Sequence, residues 1–356
     1  MELTQAPRRA RELGIVVGSR ETGPWNAITD VAGVRVGHTT LVEGDDIRTG
    51  VTAIVPDQLD HRRALPAGLF VGNGHGKMVG STQLAELGEI ETPALLTATL
   101  STFRVADALV SHMLRLPGRE SVQSVNPIVA ETNDGYLSDI RARPITAEHV
   151  HAALESASAG LPAEGSVGAG TGTGALGFKG GIGTASRRFT GGTGTASSEG
   201  AVTVGVLVQS NFSGLLRVLG VPILGRPAEQ TGNSCVIVVA TDGRFDARQL
   251  SRLARRAVFA MGRVGADFAG GSGDYAIAFS TAAPDGPPLP EAELEPAFAS
   301  VLEAVEEALL NSLFMATTTT GFGGHTKHAV SHEQVLRALR ESPGRGDRGH
   351  RDRGDS

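Results

Sequence analysis

Four residues in the second half of the chain carry groups suited to making and breaking an acyl bond: Asn211, Ser234, Ser272 and Asp274. Ser234 follows the turn-forming Thr231-Gly232-Asn233 and opens the run Cys235-Val236-Ile237-Val238-Val239-Ala240, six apolar residues of which four are β-branched. A short unbroken run of this kind reads as a strand buried on both faces. Ser234 is then the first residue of a core strand at the end of a flexible corner, either an ordinary strand-edge hydroxyl or a nucleophile held on a rigid element. Asn211 ends a second such run, Ala201 to Ser210, and its amide N–H suits a developing oxyanion. Ser272 and Asp274 flank Gly273 in a glycine turn that feeds a strand over 275–280. In extended backbone the two point the same way. Each residue alone is ordinary turn material; three strand ends of one sheet, converging, make a rigid platform for chemistry.

A serine hydroxyl needs a base to act as a nucleophile, and no histidine lies near these segments in sequence. The α-amine of Ser234 itself serves if the Asn233–Ser234 bond is cut, because an α-amine titrates near ~8. Other motifs carry less. Gly172-Thr-Gly-Ala-Leu-Gly177 is formally G-x-G-x-x-G, but more Gly and Thr precede it and Phe178-Lys-Gly-Gly181 follows. A dinucleotide site needs a strand before and a helix after. Neither Lys179 nor Gly76-Lys77 completes a Walker A loop, and no Gly-x-Ser-x-Gly elbow occurs. His75, His325 and His328 read as loop or core histidines before metal ligands.

These groups need a frame. Strands are expected over 14–18, 33–41, 49–55, 67–71, 124–130, 201–210, 234–242 and 275–280, with Glu131 to Tyr136 as a polar loop. Helices are expected after Ser81, after Ser101 to about 116, over 147–157 behind Thr146, from Asp246 to about 262 and over about 297–315. A last helix runs from a Ser331/Gln334 capping box to about 340. Val167, Leu176, Phe178 and Ile182 interrupt the low-complexity stretch 165–197, which therefore reads as an ordered loop folded closely against something else rather than a solvated linker. Strands, then helices, then strands, then helices, without strict alternation, predict an α+β fold of layered sheets sandwiched by helices in one globule over 1–342. The tail from Pro343 is Gly, Arg, Asp and His without a large apolar residue and is expected to be disordered, its two Arg-Gly-Asp triplets being by-products of composition.

Composition narrows the class. The chain has 356 residues, 40% hydrophobic and 20% charged, with a net charge of −6. Nothing basic enough for a nucleic-acid surface appears in its body. Residues 1–13 are polar and charged, no apolar signal core follows, and no run of eighteen apolar residues exists, so neither secretion nor a membrane span is expected. The single cysteine, Cys235, excludes an internal disulfide and argues against a cysteine zinc site; a reducing, cytoplasmic setting is the default. Glycine is the outlier, with 48 residues, roughly twice the usual share.

The segments together resemble the L-aminopeptidase/D-esterase (DmpA-type) family, which includes β-peptidyl aminopeptidases and nylon-oligomer hydrolases. The matching stretches are Ile28 to His38, Glu131-Thr-Asn-Asp-Gly-Tyr136, Gly165 to Gly172, Gly177 to Thr184, Val204 to Asn211, Gly232-Asn-Ser234, Ser272-Gly-Asp274 and Asn311 to Ala316. The resemblance implies a four-layer α/β/β/α sandwich and autocatalytic cleavage into an α chain (1–233) and a β chain (234–356). It implies Ser234 as N-terminal nucleophile, Asn211 as oxyanion-hole residue, and Ser272 with Asp274 as the pair positioning the nucleophile and its amine. Lys179 resembles the active-site lysine of the nylon-hydrolase branch and Tyr136 a tyrosine lining the substrate pocket. Glu131 or Asp134 suits a substrate ammonium. Tetramers of such pairs, without metal or organic cofactor, are implied, as is a small peptide, amide or ester substrate. The nylon-hydrolase branch uses Thr as nucleophile, so Ser234 favours the aminopeptidase branch. Two other readings use the same residues differently: an acyltransferase passing the acyl group to an amine, and an uncleaved small-molecule binding protein.

Overall fold

The computed structural model of the chain describes residues 6–59, 64–190, 200–225, 234–283 and 286–342. Asn233, at the expected cleavage point, and the expected disordered tail from 343 lie outside the described residues. Two mixed sheets form the centre. The strands in chain order are β1 (Val34–Glu43), β2 (Ile47–Pro56), β3 (Leu65–Gly74), β4 (Met78–Val79), β5 (Glu89–Ile90), β6 (Ala94–Ala98), β7 (Ile128–Thr132), β8 (Ile182–Thr190), β9 (Ala201–Asn211), β10 (Ser234–Thr241) and β11 (Gly273–Ser280). The first sheet has the order β1-β2-β6-β7-β4 and the second β8-β9-β10-β11-β3-β5. The principal helices are α1 (Ser81–Glu86), α2 (Thr102–Leu114), α3 (Ala147–Glu155), α4 (Ala247–Ala260), α5 (Leu294–Phe314) and α6 (His332–Glu341).

Strand alternation sorts the apolar residues into three cores. In β10, Cys235, Ile237 and Val239 join the core that α4 and α5 cover. Val236, Val238 and Ala240 face the other way, into a core shared with β1, β2, β6 and β7 of the first sheet. A third core packs Val105, Leu109 and Met113 of α2 and Val150 and Ala153 of α3 on the outer face of that first sheet. The result is the four-layer α/β/β/α sandwich expected, with β10 apolar on both sides because both sides are covered.

Several local expectations need correction. Residues 14–18 are not a sheet strand: Ile15 and Val17 bury in the helix-side core, and the Val17 carbonyl is held by the Arg187 guanidinium at 2.9 Å instead of a strand neighbour. Neither Ser81 nor Ser101 caps a helix through its side chain; α2 continues a 3-10 turn, Thr99–Ser101, so its first amides are already inside a helical run. Asp246 does cap α4, in a reciprocal box with Gln249, and Thr146 is boxed with His149 at the start of α3. At α6 only half the box forms: Ser331 accepts from the Gln334 amide, while the Gln334 side chain donates to Leu224 O at 2.8 Å. β7 begins at Ile128 and extends through Thr132, so Glu131 stands on a strand, paired with Thr97 of β6, rather than in a loop.

Residues 165–181 are ordered and largely buried, as expected for a loop packed against something else, but Ile182–Thr190, expected to continue that loop, is strand β8, paired along its length with β9; 191–199 lie outside the described residues. The formal G-x-G-x-x-G has a packing reason: a Cβ on Gly172 would stand 2.1 Å from Arg48 O, and backbone against backbone leaves room only for glycine.

A buried charge network ties the N-terminal arm to α5. The Arg187 side chain, 0% exposed, donates to Glu307 Oε2 at 2.6 Å and Glu303 Oε2 at 3.2 Å. Arg11 Nε and Asn26 Nδ2 meet Glu307 Oε1 at 3.0 and 2.5 Å. Replacing Glu307 by Ala strands Arg187 without its principal partner, and denaturant unfolding is expected to show a loss of about 3–5 kcal/mol. Asp57→Ala, which breaks the exposed Arg35–Asp57 pair, should cost less than about 1 kcal/mol. Equal losses would mean that Arg187 finds compensation elsewhere.

Candidate active site

The register of the second sheet brings the strand-end groups together. Asn211, the last residue of β9, lies opposite Ser234, the first of β10. Ser234 lies beside Gly273, the first of the parallel β11, and Cys235 beside Asp274. All of Asn211, Ser234, Ser272 and Asp274 are buried. The Gly273 amide donates to Ser234 Oγ at 3.3 Å, and Ser272 Oγ donates to Asp274 Oδ1 at 2.6 Å. Burial pushes the Asp274 carboxyl up, with the Ser272 hydroxyl and the Cys235 backbone amide opposing it. By alternation Ser234 shares the inter-sheet face with Val236, whereas Asp274 shares the opposite face with Cys235. Asp274 thus approaches the Ser234–Cys235 backbone rather than the Ser234 hydroxyl. Sequence spacing predicted the Ser272–Asp274 pairing; it held no sign of the Gly273 amide on Ser234.

Asn211 reaches across the space between the sheets. Its Oδ1 accepts from the Gly174 amide at 3.0 Å and its Nδ2 donates to Asn133 O at 2.9 Å. Gly174 pairs with Lys179 in a two-residue hairpin, Gly174–Ala175 with Phe178–Lys179. Lys179 is wholly buried, and its Nζ donates to Gly170 O at 2.9 Å and Gly180 O at 2.7 Å. Burial pulls its ammonium down to about 7, with Asp134 opposing the fall. Burial likewise pushes Asp134 up to about 7.

The two acidic candidates differ. Glu131 is anchored: its Oε1 accepts from the Lys77 amide at 2.8 Å, and its Oε2 takes the Thr99 hydroxyl. It borders the site through Gly76, where a Cβ would stand 3.2 Å from both Glu131 Oε1 and Gly273 Cα, and 2.8 Å from the Tyr275 ring. Asp134 is 2% exposed with Oδ1 lacking a hydrogen-bond partner, on the Lys179 side. Tyr136 stacks on His325 at 4.4 Å and 5°, and the Lys327 ammonium lies 4.6 Å from its ring centre. His325 Nδ1 also meets Tyr136 O at 3.0 Å, and His328 O accepts from the Lys179 amide at 2.7 Å. Both histidines are thus loop contacts of the site's surroundings. Among the described residues no group of three or more His, Cys, Asp or Glu is placed to hold a metal ion, and no helix is long and apolar enough to cross a membrane. The partners that sequence reasoning missed are mostly backbone: the Gly273, Gly174 and Lys77 amides and Asn133 O. Every residue has such groups, so composition carries no signal for them.

Known proteins place this arrangement in a class. The sequence pattern of peptidase family S58 matches residues 26–327. The β-peptidyl aminopeptidase BapA of Sphingosinicella microcystinivorans is 37% identical over 94% of this chain and 92% of its own. A β-aminopeptidase from Burkholderia sp. superposes with a TM-score of 0.86 at 39% identity, over 94% of this chain and 99% of its own. The L-aminopeptidase D-Ala-esterase/amidase of Ochrobactrum anthropi, described as a variant of the Ntn hydrolase fold, gives 0.84 at 35%, over 93% and 98%. The arrangement is that of an aminopeptidase-type hydrolase on the Ntn hydrolase fold. The chain belongs to peptidase family S58.

Residue 76 packs so closely on Glu131, Gly273 and the Tyr275 ring that an added Cβ must push them apart. Gly76→Ala is expected to cut kcat/KM by about tenfold or more in protein that remains folded by circular dichroism. Unchanged kinetics would show that this packing does not shape the working site.

Proposed function

We propose that the chain cuts its own Asn233–Ser234 bond and then works as a serine aminopeptidase on short peptides, amino-acid amides or esters through an acyl-enzyme on Ser234. The observation that carries the reading is the register Asn211–Ser234–Gly273 at one end of a doubly covered sheet. Before the cut, the Ser234 nitrogen is an amide and takes no proton. After it, the α-amine, titrating near ~8, is a base on the nucleophile's own residue. The amine takes the Oγ proton as Oγ attacks the scissile carbonyl carbon. The second Nδ2 hydrogen of Asn211 meets the developing oxyanion, the leaving amine or alcohol takes the proton, and water then releases the acyl group by the reverse sequence. Asp274, beside Cys235 on the backbone side, suits the role of holding the new ammonium or amine, with Ser272 fixing the Asp274 carboxyl.

The interleaved topology supports a cut pair that stays together. Residues beyond 233 supply β10 and β11, which lie between β9 and β3 of the earlier half, and Glu307 of α5 binds Arg187, Arg11 and Asn26 of the earlier half. Glu131 is the better receptor for the substrate's ammonium, since it is already oriented and borders Gly273; Tyr136 forms the neighbouring wall. The family resemblance extends the proposal to a single domain over 1–342, a tetramer of cut pairs and action in the cytoplasm.

Intact mass tests the cut directly. The parent protein should resolve into fragments 1–233 and 234–356, while Ser234→Ala remains one 36.7 kDa chain without activity. A Ser234→Ala protein that still splits would move the cleavage point elsewhere. For ammonium recognition, Glu131→Gln should lower kcat/KM on substrates with a free N-terminus by about ten- to a hundredfold, and the parent should reject the N-acetylated forms. If the acetylated substrates are turned over as well as the free ones, Glu131 does not read the amine.

A further inference from the structure

We infer that Lys179 and Asp134 are positioning residues that act through Asn211, locking together the two loops that grip its side-chain amide. The inference rests on the proposed role of Asn211.

The Asn211 amide is held at both ends. Its oxygen accepts the Gly174 N–H at 3.0 Å and its nitrogen donates to the Asn133 carbonyl at 2.9 Å. Turning the amide over would set N–H against N–H and oxygen against oxygen, so its orientation is fixed by these two contacts. One Nδ2 hydrogen is spent on Asn133 O, and the second remains for a ligand. The two holders come from separate loops. Gly174 lies in the glycine stretch between 170 and 180. Asn133 precedes Asp134 in the loop after β7.

Lys179 staples the first loop. Its ammonium bridges Gly170 O and Gly180 O at 2.9 and 2.7 Å, its backbone pairs with Gly174, and its amide donates to His328 O. A stretch so rich in glycine loses more backbone freedom on ordering than any other, and this side chain closes it at both ends. Asp134, on the second loop, packs directly against the first: a Cβ on Gly172 would stand 2.9 Å from Asp134 Cβ. It is buried, and its Oδ1 has no hydrogen-bond partner. A buried carboxyl with an unmet oxygen is costly; burial raises its pKa, the Thr49 hydroxyl and, less strongly, the Lys179 ammonium lower it, and Glu131 adds to the rise. The Asn211 amide sits between the two. The hydrogen bonds of the Lys179 ammonium go to main-chain carbonyls, as befits a clamp rather than a proton shuttle.

Two measurements test this. The first is a double-mutant cycle on the cut enzyme with an aminoacyl p-nitroanilide. Lys179→Met and Asp134→Asn should each lower kcat by about tenfold or more, with KM within about twofold and the acid limb of the pH–kcat/KM profile unmoved. Added to Asn211→Ala, either should cost less than about twofold further. Undiminished extra loss, or a displaced acid limb, would assign Lys179 chemistry of its own and overturn the inference. An Asn211→Ala enzyme with parental kcat would instead overturn the proposed oxyanion role. The second measurement needs no turnover. In the uncut Ser234→Ala protein, the Asn211 side-chain NH₂ signals in NMR should be single and sharp, and should broaden or split when Asp134→Asn, an isosteric change, is added. Unchanged signals would overturn the inference even if Lys179→Met does not fold.

Discussion

The structure depends on one strand that must be buried on both faces. Val236 and Val238 point into the space between the sheets while Ile237 and Val239 point toward α4 and α5, so β10 cannot sit at an edge or under a single layer. At about 25 cal/mol per Å² of apolar surface, exposing either side forfeits several kcal/mol. Two sheets and two helix layers follow from that requirement, and so does the location of the site. The first residue of this fully enclosed strand is Ser234, held between the end of β9 and the start of β11. Rigidity at the candidate nucleophile comes from the same burial that stabilises the fold.

Glycine lets the layers close around polar groups. Beneath the inter-sheet core the stretch 165–183 runs backbone to backbone with its surroundings: a Cβ at Gly181 would stand 2.2 Å from Gly165 O. At that separation main-chain amides and carbonyls reach side chains directly. Gly174 N–H orients Asn211, Gly170 and Gly180 carbonyls bind Lys179, and the Ala169 carbonyl takes Gln209 Nε2 at 2.9 Å. The low aromatic content, 4%, belongs to the same design, since bulky rings would hold these backbones apart.

Where the N-terminal arm meets the helix layer, charge is used with a different purpose. Arg187, Glu307, Arg11 and Asn26 are joined where the N-terminal arm meets α5. Such a cluster adds little over an apolar replacement but is expensive to break from one side. It joins segments from both halves of the chain, and the β10–β11 pair inserted between β9 and β3 does the same through the sheet. The proposed cut at the start of β10 would therefore leave both halves joined within the same layers.

Local physics made much of this legible from the sequence. The β-branched run after Ser234 announced a doubly buried strand, Asp246 announced the start of α4, and the apolar residues within the glycine stretch announced order there, though not that its end is strand β8. Ser272 and Asp274 could be paired from their spacing alone, because two residues apart in extended chain is one face. What the sequence could not hold was anything that depends on register between distant strands. Placing Asn211 opposite Ser234, and Gly273 beside it, is a choice among strand pairings that single-strand patterns do not distinguish. The same holds for Glu131, read as a loop residue until pairing with Thr97 put it on β7. It holds most for the amides of Gly273, Gly174 and Lys77, which every residue type possesses. Sequence by itself determined which segments must be buried and which side chains had the right chemistry. The tertiary structure alone decided which of them meet, because hydrogen-bond partners across a sheet are set by register and burial rather than by composition.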